Sequence, residues 1–307
     1  MRTPFFSIII PTYNRALLLS NAINSVLAQT FTDWELIIMD DGSTDNTRSV
    51  VEKFQDARIN YVWQQNAERS AARNNGISLT RGEFICFLDS DDLWRDYHLQ
   101  THFDAIKGND RKKAFYFTGM TWNFPDRKQD VIFEPLQKKN PIEYVITNQI
   151  GTPTVCIHHS ILSANKFNTT LRINEDVELF ARIVSQHELI RIPMITVDVM
   201  VHDENTKGQE RNYISPQIEA MKTIFSNALL RNKISPAFKR ARLLNLRHQL
   251  INHYLNSGEF SKMNKEILHF LFSYPLHFQN KAKIVLLLYH VPGGKYLQKL
   301  VGKLKTV

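Results

Sequence analysis

Phe5-Phe6-Ser7-Ile8-Ile9-Ile10-Pro11 and Trp34-Glu35-Leu36-Ile37-Ile38-Met39-Asp40 are two apolar, β-branched runs with a helical stretch between them. Runs this short and this continuously apolar read as strands buried on both faces, as in a parallel sheet. Between them, Ala16 to Gln29 spaces Leu18, Leu19, Ala22, Ile23, Val26 and Leu27 at helical intervals, with Asn14 placed as a cap. The alternation continues outward. Asp41-Gly42-Ser43 reads as a turn, and Ser43 or Thr44 is predicted to cap a helix running to about Phe54. Ile59 to Trp63 follows as a strand, Ser70 to Leu79 as a helix and Glu83 to Leu88 as a fourth strand. Strands alternating with helices predict a right-handed α/β unit, whose binding crevice lies at the carboxyl ends of the strands. Tyr13, Asp40, Asp41 and Asp89 fall at those ends.

Beyond Asp92 the pattern loosens. Lys113 to Gly119 and Thr154 to His158 read as strands, joined by a long polar segment containing Pro125, Pro135 and Pro141. Glu175 to Gln186 carries a helical stripe of Val177, Phe180, Ala181 and Val184, and Ile190 to His202 reads as two extended pieces broken at Pro193. From about Gln209 the chain is helical and basic. We expect one domain over 1–207 and a second, helical one over 208–307, without internal repeats.

Composition narrows the class. In 307 residues, 43% are hydrophobic, with 19 Phe and 10 Tyr, so the chain has the apolar area for a packed core and is not a disordered one. Cys86 and Cys156 sit inside apolar runs and suggest no disulfide framework. Met1-Arg2-Thr3-Pro4 leads into the first strand with no signal-peptide pattern, and the apolar run Ile284 to Tyr289 is far short of a membrane span. A cytoplasmic protein of a reducing compartment is expected. The formal net charge of +8 is uneven: residues 205–307 hold 17 basic and 4 acidic residues, leaving the remainder at −5. Such asymmetry suggests an anionic partner.

Leu88-Asp89-Ser90-Asp91-Asp92 places three carboxylates in four residues directly after a strand. They repel unless neutralised. A hard divalent cation shared with a phosphate would do this, while a solvated acidic turn or a helix cap is the alternative. The acidic pair Glu175-Asp176 opens a predicted helix, where carboxylates either favour the N-terminus or do chemistry.

Taken in order, Ile8-Ile9-Ile10-Pro11-Thr12-Tyr13-Asn14, Ile38-Met39-Asp40-Asp41-Gly42-Ser43-Thr44-Asp45, Ala72-Arg73-Asn74-Asn75-Gly76 and Phe87-Leu88-Asp89-Ser90-Asp91-Asp92 resemble the family 2 glycosyltransferases. The resemblance spans roughly residues 5–205. It implies a GT-A domain, Rossmann-like and nucleotide-binding, with a mixed, mostly parallel sheet. By position it also implies roles. Pro11 and Tyr13 would wall a uracil ring, and Asp41 would accept the uracil N3–H. Asn66 and Arg73 would contact the nucleotide-sugar, and Asp89 and Ser90 would face ribose and sugar. Asp91 would ligate Mn2+ or Mg2+ on the diphosphate, His202 would add a metal ligand, and Asp176 would be the general base. One departure is Glu68, where many relatives carry Gly.

The implied activity is metal-dependent, inverting transfer of a hexose or hexosamine from a UDP-sugar to a hydroxyl of a surface glycan or lipid-linked oligosaccharide. The alternative is a catalytically inactive, nucleotide-sugar-binding scaffold subunit. Outside the resemblance, Ile234 to Tyr254, Phe260 to Tyr274 and Lys295 to Lys305 interleave Lys and Arg with apolar residues. Basic amphipathic helices of this type suit an anionic membrane surface, such as the inner face of the cell membrane. A packing or homo-oligomerisation domain is the other reading. Nucleic acid is disfavoured, since no nucleic-acid-binding motif accompanies the charge.

Overall fold

The structure, a computed structural model, describes residues 3–137, 139–202 and 213–273. Strands β1 (Phe6–Thr12) and β2 (Trp34–Asp40) are buried along their whole length, as their unbroken apolar runs require. Helix α1 (Ala16–Leu27) buries Leu19, Ala22, Ile23 and Val26, the stripe its spacing predicts. Then come α2 (Thr47–Val51), β3 (Ile59–Trp63), α3 (Glu68–Leu79) and β4 (Phe84–Phe87). β1 pairs in parallel with β2 on one side and β4 on the other, and β2 pairs in parallel with β3. Helix α3 lies close on this sheet, because a Cβ on Gly76 would come within 2.7 Å of Ile9 Cγ2.

The remainder of the first unit is β5 (Leu93–Trp94), α4 (His98–Gly108), β6 (Phe115–Asn123), β7 (Lys128–Val131), α5 (Pro141–Asn148), β8 (Val155–His158), α6 (His159–Ala164), α7 (Glu175–Val184) and β9 (Leu189–Met200). The nine strands form one sheet in the order β3-β2-β1-β4-β8-β6-β9-β5, with β7 also on β6. β8 runs antiparallel to β4 and β6, so the sheet is mixed. The order turns back between β1 and β4, and the loops leaving these two strands diverge there. That divergence opens the crevice. Cys86 and Cys156 are buried free thiols, opposite each other on β4 and β8.

Several sequence expectations change. Residues 190–202 are not two pieces: β9 is one strand of 12 residues. Its register against β6 skips from Phe117↔Arg191 to Gly119↔Ile195, and Pro193, which has no N–H to give, lies in the bulge. Asn14 does not cap α1. It has a left-handed φ of 51° and its Oδ1 accepts from Thr44 N at 2.8 Å. Asp45 serves both helices instead, Oδ2 accepting from Ala16 N at 3.2 Å and Oδ1 from Thr47 N at 3.0 Å. Neither Ser43 nor Thr44 caps α2, which ends at Val51 rather than near Phe54. Helices α4 and α5 fill the stretch left unassigned, α5 starting at an Asn140 cap whose Oδ1 accepts from Ile142 N at 2.9 Å.

Three helices follow: α8 (Ile214–Ser226), α9 (Pro236–Asn256) and α10 (Phe260–Ser273). Among the described residues, packing separates one compact unit of 3–202 with 220–235 from a second of 213–219 with 236–273. In the second, Leu246, Leu250, Ile251, Met263 and Ile267 are buried, and Arg247 Nη1 reaches Glu266 Oε2 across α9 and α10 at 2.6 Å. No helix among the described residues is long and apolar enough to cross a membrane. The basic stretch Lys295 to Lys305 lies outside the described residues.

Candidate active site

The loops after β1, β2 and β3 meet on one side of the crevice. Asp41 N donates to Thr12 O at 2.9 Å, and Asn14 N donates to Ser43 Oγ at 2.9 Å, so the ends of β1 and β2 are tied together. Pro11 is buried in β1, while Tyr13, just past the strand, is 48% exposed. The Asp41 carboxylate is nearly buried. Its Oδ1 accepts from Gln64 Nε2 at 2.6 Å and from Ala67 N at 2.9 Å. Gly42 has a φ of 86°, and a Cβ there would lie 2.9 Å from Asn66 N, so glycine lets the Asn66 loop close over this turn. Asn66 itself is exposed beside it.

The other side is a buried charge network. Arg73, on α3, is 2% exposed, its Nη1 donating to Glu175 Oε1 at 3.0 Å and its Nη2 to Asp89 Oδ1 at 2.7 Å. Burial opposes its charge, but Asp89 and Glu175 outweigh it and hold the guanidinium above its ordinary value. The planar fork thus spans β4's loop and α7's first turn rather than standing open to solvent. Arg69 Nε, one turn earlier, also approaches Glu175 Oε1 at 3.4 Å. Asp176 is half-buried, and its Oδ1 accepts from Val177 N at 2.7 Å. Burial, and then the charge of Glu175, push Asp176 up to about 6. Two adjacent carboxylates therefore differ: Glu175 is tied by two arginines, while Asp176 sits near the pKa that suits a general base.

The remaining acidic residues follow β4. Ser90 is buried, and Asp92 is buried with its Oδ1 accepting from Met200 N at 3.0 Å. This contact fastens the loop to the end of β9, two residues before His202. There His202 Nε2 lies 3.2 Å from Asp91 Oδ2. Burial, then Asp89, raise Asp91 above the usual carboxylate range, and a cation would reverse that penalty. Among the described residues no three His, Cys, Asp or Glu side chains form a complete cage. A carboxylate and an imidazole suit an ion that takes its other oxygens from a diphosphate, so the donor set fits Mn2+ or Mg2+.

Tyr13, Asp41, Asn66, Asp89, Ser90, Asp91 and His202 thus lie on the loops that follow strands of one unit. Arg73 on α3 and Asp176 on α7 join them through Asp89 and Glu175, and Pro11 is buried in β1. Residues 7–167, just over half of the chain, match Glycosyl transferase family 2. The chain belongs to this family. It is a glycosyltransferase.

This glycosyltransferase is 33% identical over 190 residues to the UDP-Glc:alpha-D-GlcNAc-diphosphoundecaprenol beta-1,3-glucosyltransferase of Escherichia coli, covering 61% of this chain and 72% of that one. Other curated relatives are matched over less of their length, 38% for a glycosyltransferase of Nostoc sp. and 46% for a putative teichuronic acid biosynthesis glycosyltransferase of Bacillus subtilis. Among solved structures, TarS 1-349 of S. aureus in complex with UDP-GlcNAc superposes with a TM-score of 0.62 at 20% identity, over 92% of this chain and 79% of that one. A mannosyltransferase of Pyrobaculum calidifontis in complex with GDP-Man and Mn2+ gives 0.60 at 14%, over 97% and 84%. At such identities the likeness establishes the fold, which is GT-A.

Two residues of the glycosyltransferase's crevice were not picked out in the sequence. Gln64 follows β3 directly, and only its place at a strand end hints at it. Arg69 has no sequence signal, because its link to Glu175 joins segments more than 100 residues apart.

Proposed function

We propose that the chain is a metal-dependent inverting glycosyltransferase that moves a hexose or hexosamine from a UDP-sugar to a hydroxyl of a lipid-linked or polysaccharide acceptor. The observation that carries this reading is the Arg73 bridge between Asp89 and Glu175, which ties the loop after β4 to the helix turn that carries Asp176. Tyr13 and Pro11 would take the uracil, Asp41 its N3–H, and Asn66, Asp89 and Ser90 the ribose and sugar. Asp91 and His202 would hold the cation, which when bound neutralises the diphosphate. The mannosyltransferase of the same fold is in complex with GDP-Man and Mn2+, which favours a cation beside the diphosphate.

Asp176 takes the proton from the acceptor hydroxyl as the acceptor oxygen bonds the anomeric carbon. The bond from that carbon to the diphosphate oxygen breaks, and its electron pair leaves with UDP. A single displacement inverts the centre, so an α-linked donor gives a β product. That is the linkage in the name of the Escherichia coli relative, which acts on a diphosphoundecaprenol-linked sugar. For the domains, we assign 1–207 to catalysis and 208–307 to an anionic membrane surface or to self-association. A lipid-linked acceptor would place the protein on the inner face of the cell membrane.

The test is UDP release across a panel of UDP-sugars, with Mn2+ or with EDTA, alongside calorimetric UDP binding. Metal-dependent release from one donor is expected. UDP binding without release, even with glycan acceptors supplied, would favour the inactive scaffold, and absence of UDP binding would overturn the reading.

A further inference from the structure

Asp41 is not held by its own loop alone. Its Oδ1 is shared by the Ala67 backbone N–H at 2.9 Å and the Gln64 side-chain amide at 2.6 Å. Gln64 is in turn fixed from both ends. Its backbone N donates to Asp40 O at 2.9 Å, and its Oε1 accepts from Asn75 Nδ2 at 2.7 Å. The Asp41 carboxylate offers only acceptors, so the Gln64 NH2 faces it and the Gln64 oxygen is left to accept from Asn75. Asp41 Oδ2 has no hydrogen-bond partner among the described residues.

We propose that Gln64, locked by Asn75, is the positioning residue that sets base specificity at this site. It does so by filling Asp41 Oδ1 so that only Oδ2 is left to receive the donor nucleotide. This rests on the reading of Asp41 as the base acceptor. An oxygen presented this way accepts a ring N–H and repels a ring nitrogen bearing a lone pair. Uracil carries N–H at its position 3 and cytosine carries a lone pair there, so the relay selects a uridine over a cytidine diphosphate. Without Gln64 the carboxylate is held by one donor and can rotate, offering either oxygen or solvent to the base. Gln64 acts through Asp41 and is not itself a catalytic residue.

The experiment is calorimetric titration of the full chain with UDP and, separately, with CDP, in the same Mn2+ buffer, for the parent, Gln64→Met and Asn75→Ala. The parent is expected to prefer UDP. Gln64→Met is expected to lose about tenfold in UDP affinity, the value of one charge-assisted hydrogen bond, with the UDP:CDP ratio falling by a similar factor. Asn75 is exposed and does not touch Asp41, so Asn75→Ala folds and is expected to lower the ratio about threefold, a fraction of that bond. A lesion that only loosened the fold would lower both affinities together and leave their ratio alone. A parent that binds neither nucleotide, or both equally, overturns the Asp41 reading itself. A parent that prefers UDP, with the ratio unchanged in both variants, overturns the role of Gln64 and leaves Asp41 standing.

Discussion

Glu68 begins α3 with a φ of 72°, a left-handed conformation that side chains with a Cβ adopt at a cost of about 1–2 kcal/mol. The family resemblance implies Gly at this position. The backbone keeps the glycine-type turn, and the side chain gains only an exposed ion pair with Arg172 at 3.7 Å, which contributes little. Glu68→Gly is therefore expected to leave the midpoint of chemical unfolding unchanged or raise stability by up to about 1 kcal/mol. A loss of that size would mean the turn is not left-handed in solution. Gly42→Ala runs the other way. Its φ of 86° and the 2.9 Å approach to Asn66 N leave no room for a Cβ, and a cost of about 2 kcal/mol or more is expected, with weaker UDP binding.

Asp176 ties stability to chemistry at the same scale. Its carboxyl lies near 6 in the folded chain against 3.8 unfolded, so the folded state prefers the protonated form. That contribution is complete below pH 3.8 and is lost as pH rises through about 6, whereas the proposed transfer step needs Asp176 ionised. The kcat/KM profile is expected to show an acid limb near pH 6. Asp176→Asn is expected to cut turnover by about a thousandfold while keeping UDP affinity, and to be more stable than the parent at pH 7 but not at pH 3.5. Full activity in Asp176→Asn would remove this residue from the mechanism.

At the scale of elements, one side chain joins three of them. Arg73 on α3 reaches the loop after β4 through Asp89 and the first turn of α7 through Glu175. Removing a buried partner leaves an uncompensated charge, so Arg73→Met is expected to cost about 3–5 kcal/mol in urea unfolding. Arg73→Lys should recover little, because one ammonium cannot replace a fork with two carboxylates. Adding Glu175→Gln to Arg73→Met should return part of the loss; strict additivity would show that the pair is not coupled. This bridge also shows what the sequence made legible. Apolar period and motif order disclosed β1 to β4, their helices and the acidic residues at their ends, because each signal lies within a few neighbouring residues. Pairings across distance were hidden: Arg73 with Glu175, Asp45 as the cap of two helices, Gln64 beneath Asp41. Helices α4 and α5 are hard to read because their buried stripes, Leu99, His102 and Ile106 in one and Ile142, Val145 and Ile146 in the other, are short and set among polar residues. Pro193 misled because a bulge, invisible in one strand alone, accommodates it.

For the whole molecule, charge separates along the chain. Residues 205–307 carry 17 basic against 4 acidic side chains, while the part that holds the crevice is net acidic. On the proposed membrane role, the net-acidic residues 1–204 would be repelled by anionic lipid, and attraction would come from the C-terminal third, at about 1 kcal/mol per Lys or Arg near the surface. This predicts co-sedimentation of the full chain with vesicles containing phosphatidylglycerol but not with purely zwitterionic ones. Binding should fall steeply between about 50 and 500 mM salt, over which the Debye length shrinks from well above 10 Å to under 5 Å. The charge reversals Lys239→Glu, Arg240→Glu and Lys265→Glu, combined on α9 and α10, should weaken vesicle binding without touching UDP affinity. Salt-independent sedimentation as a dimer, with no preference for anionic vesicles, would instead assign the helical unit to self-association.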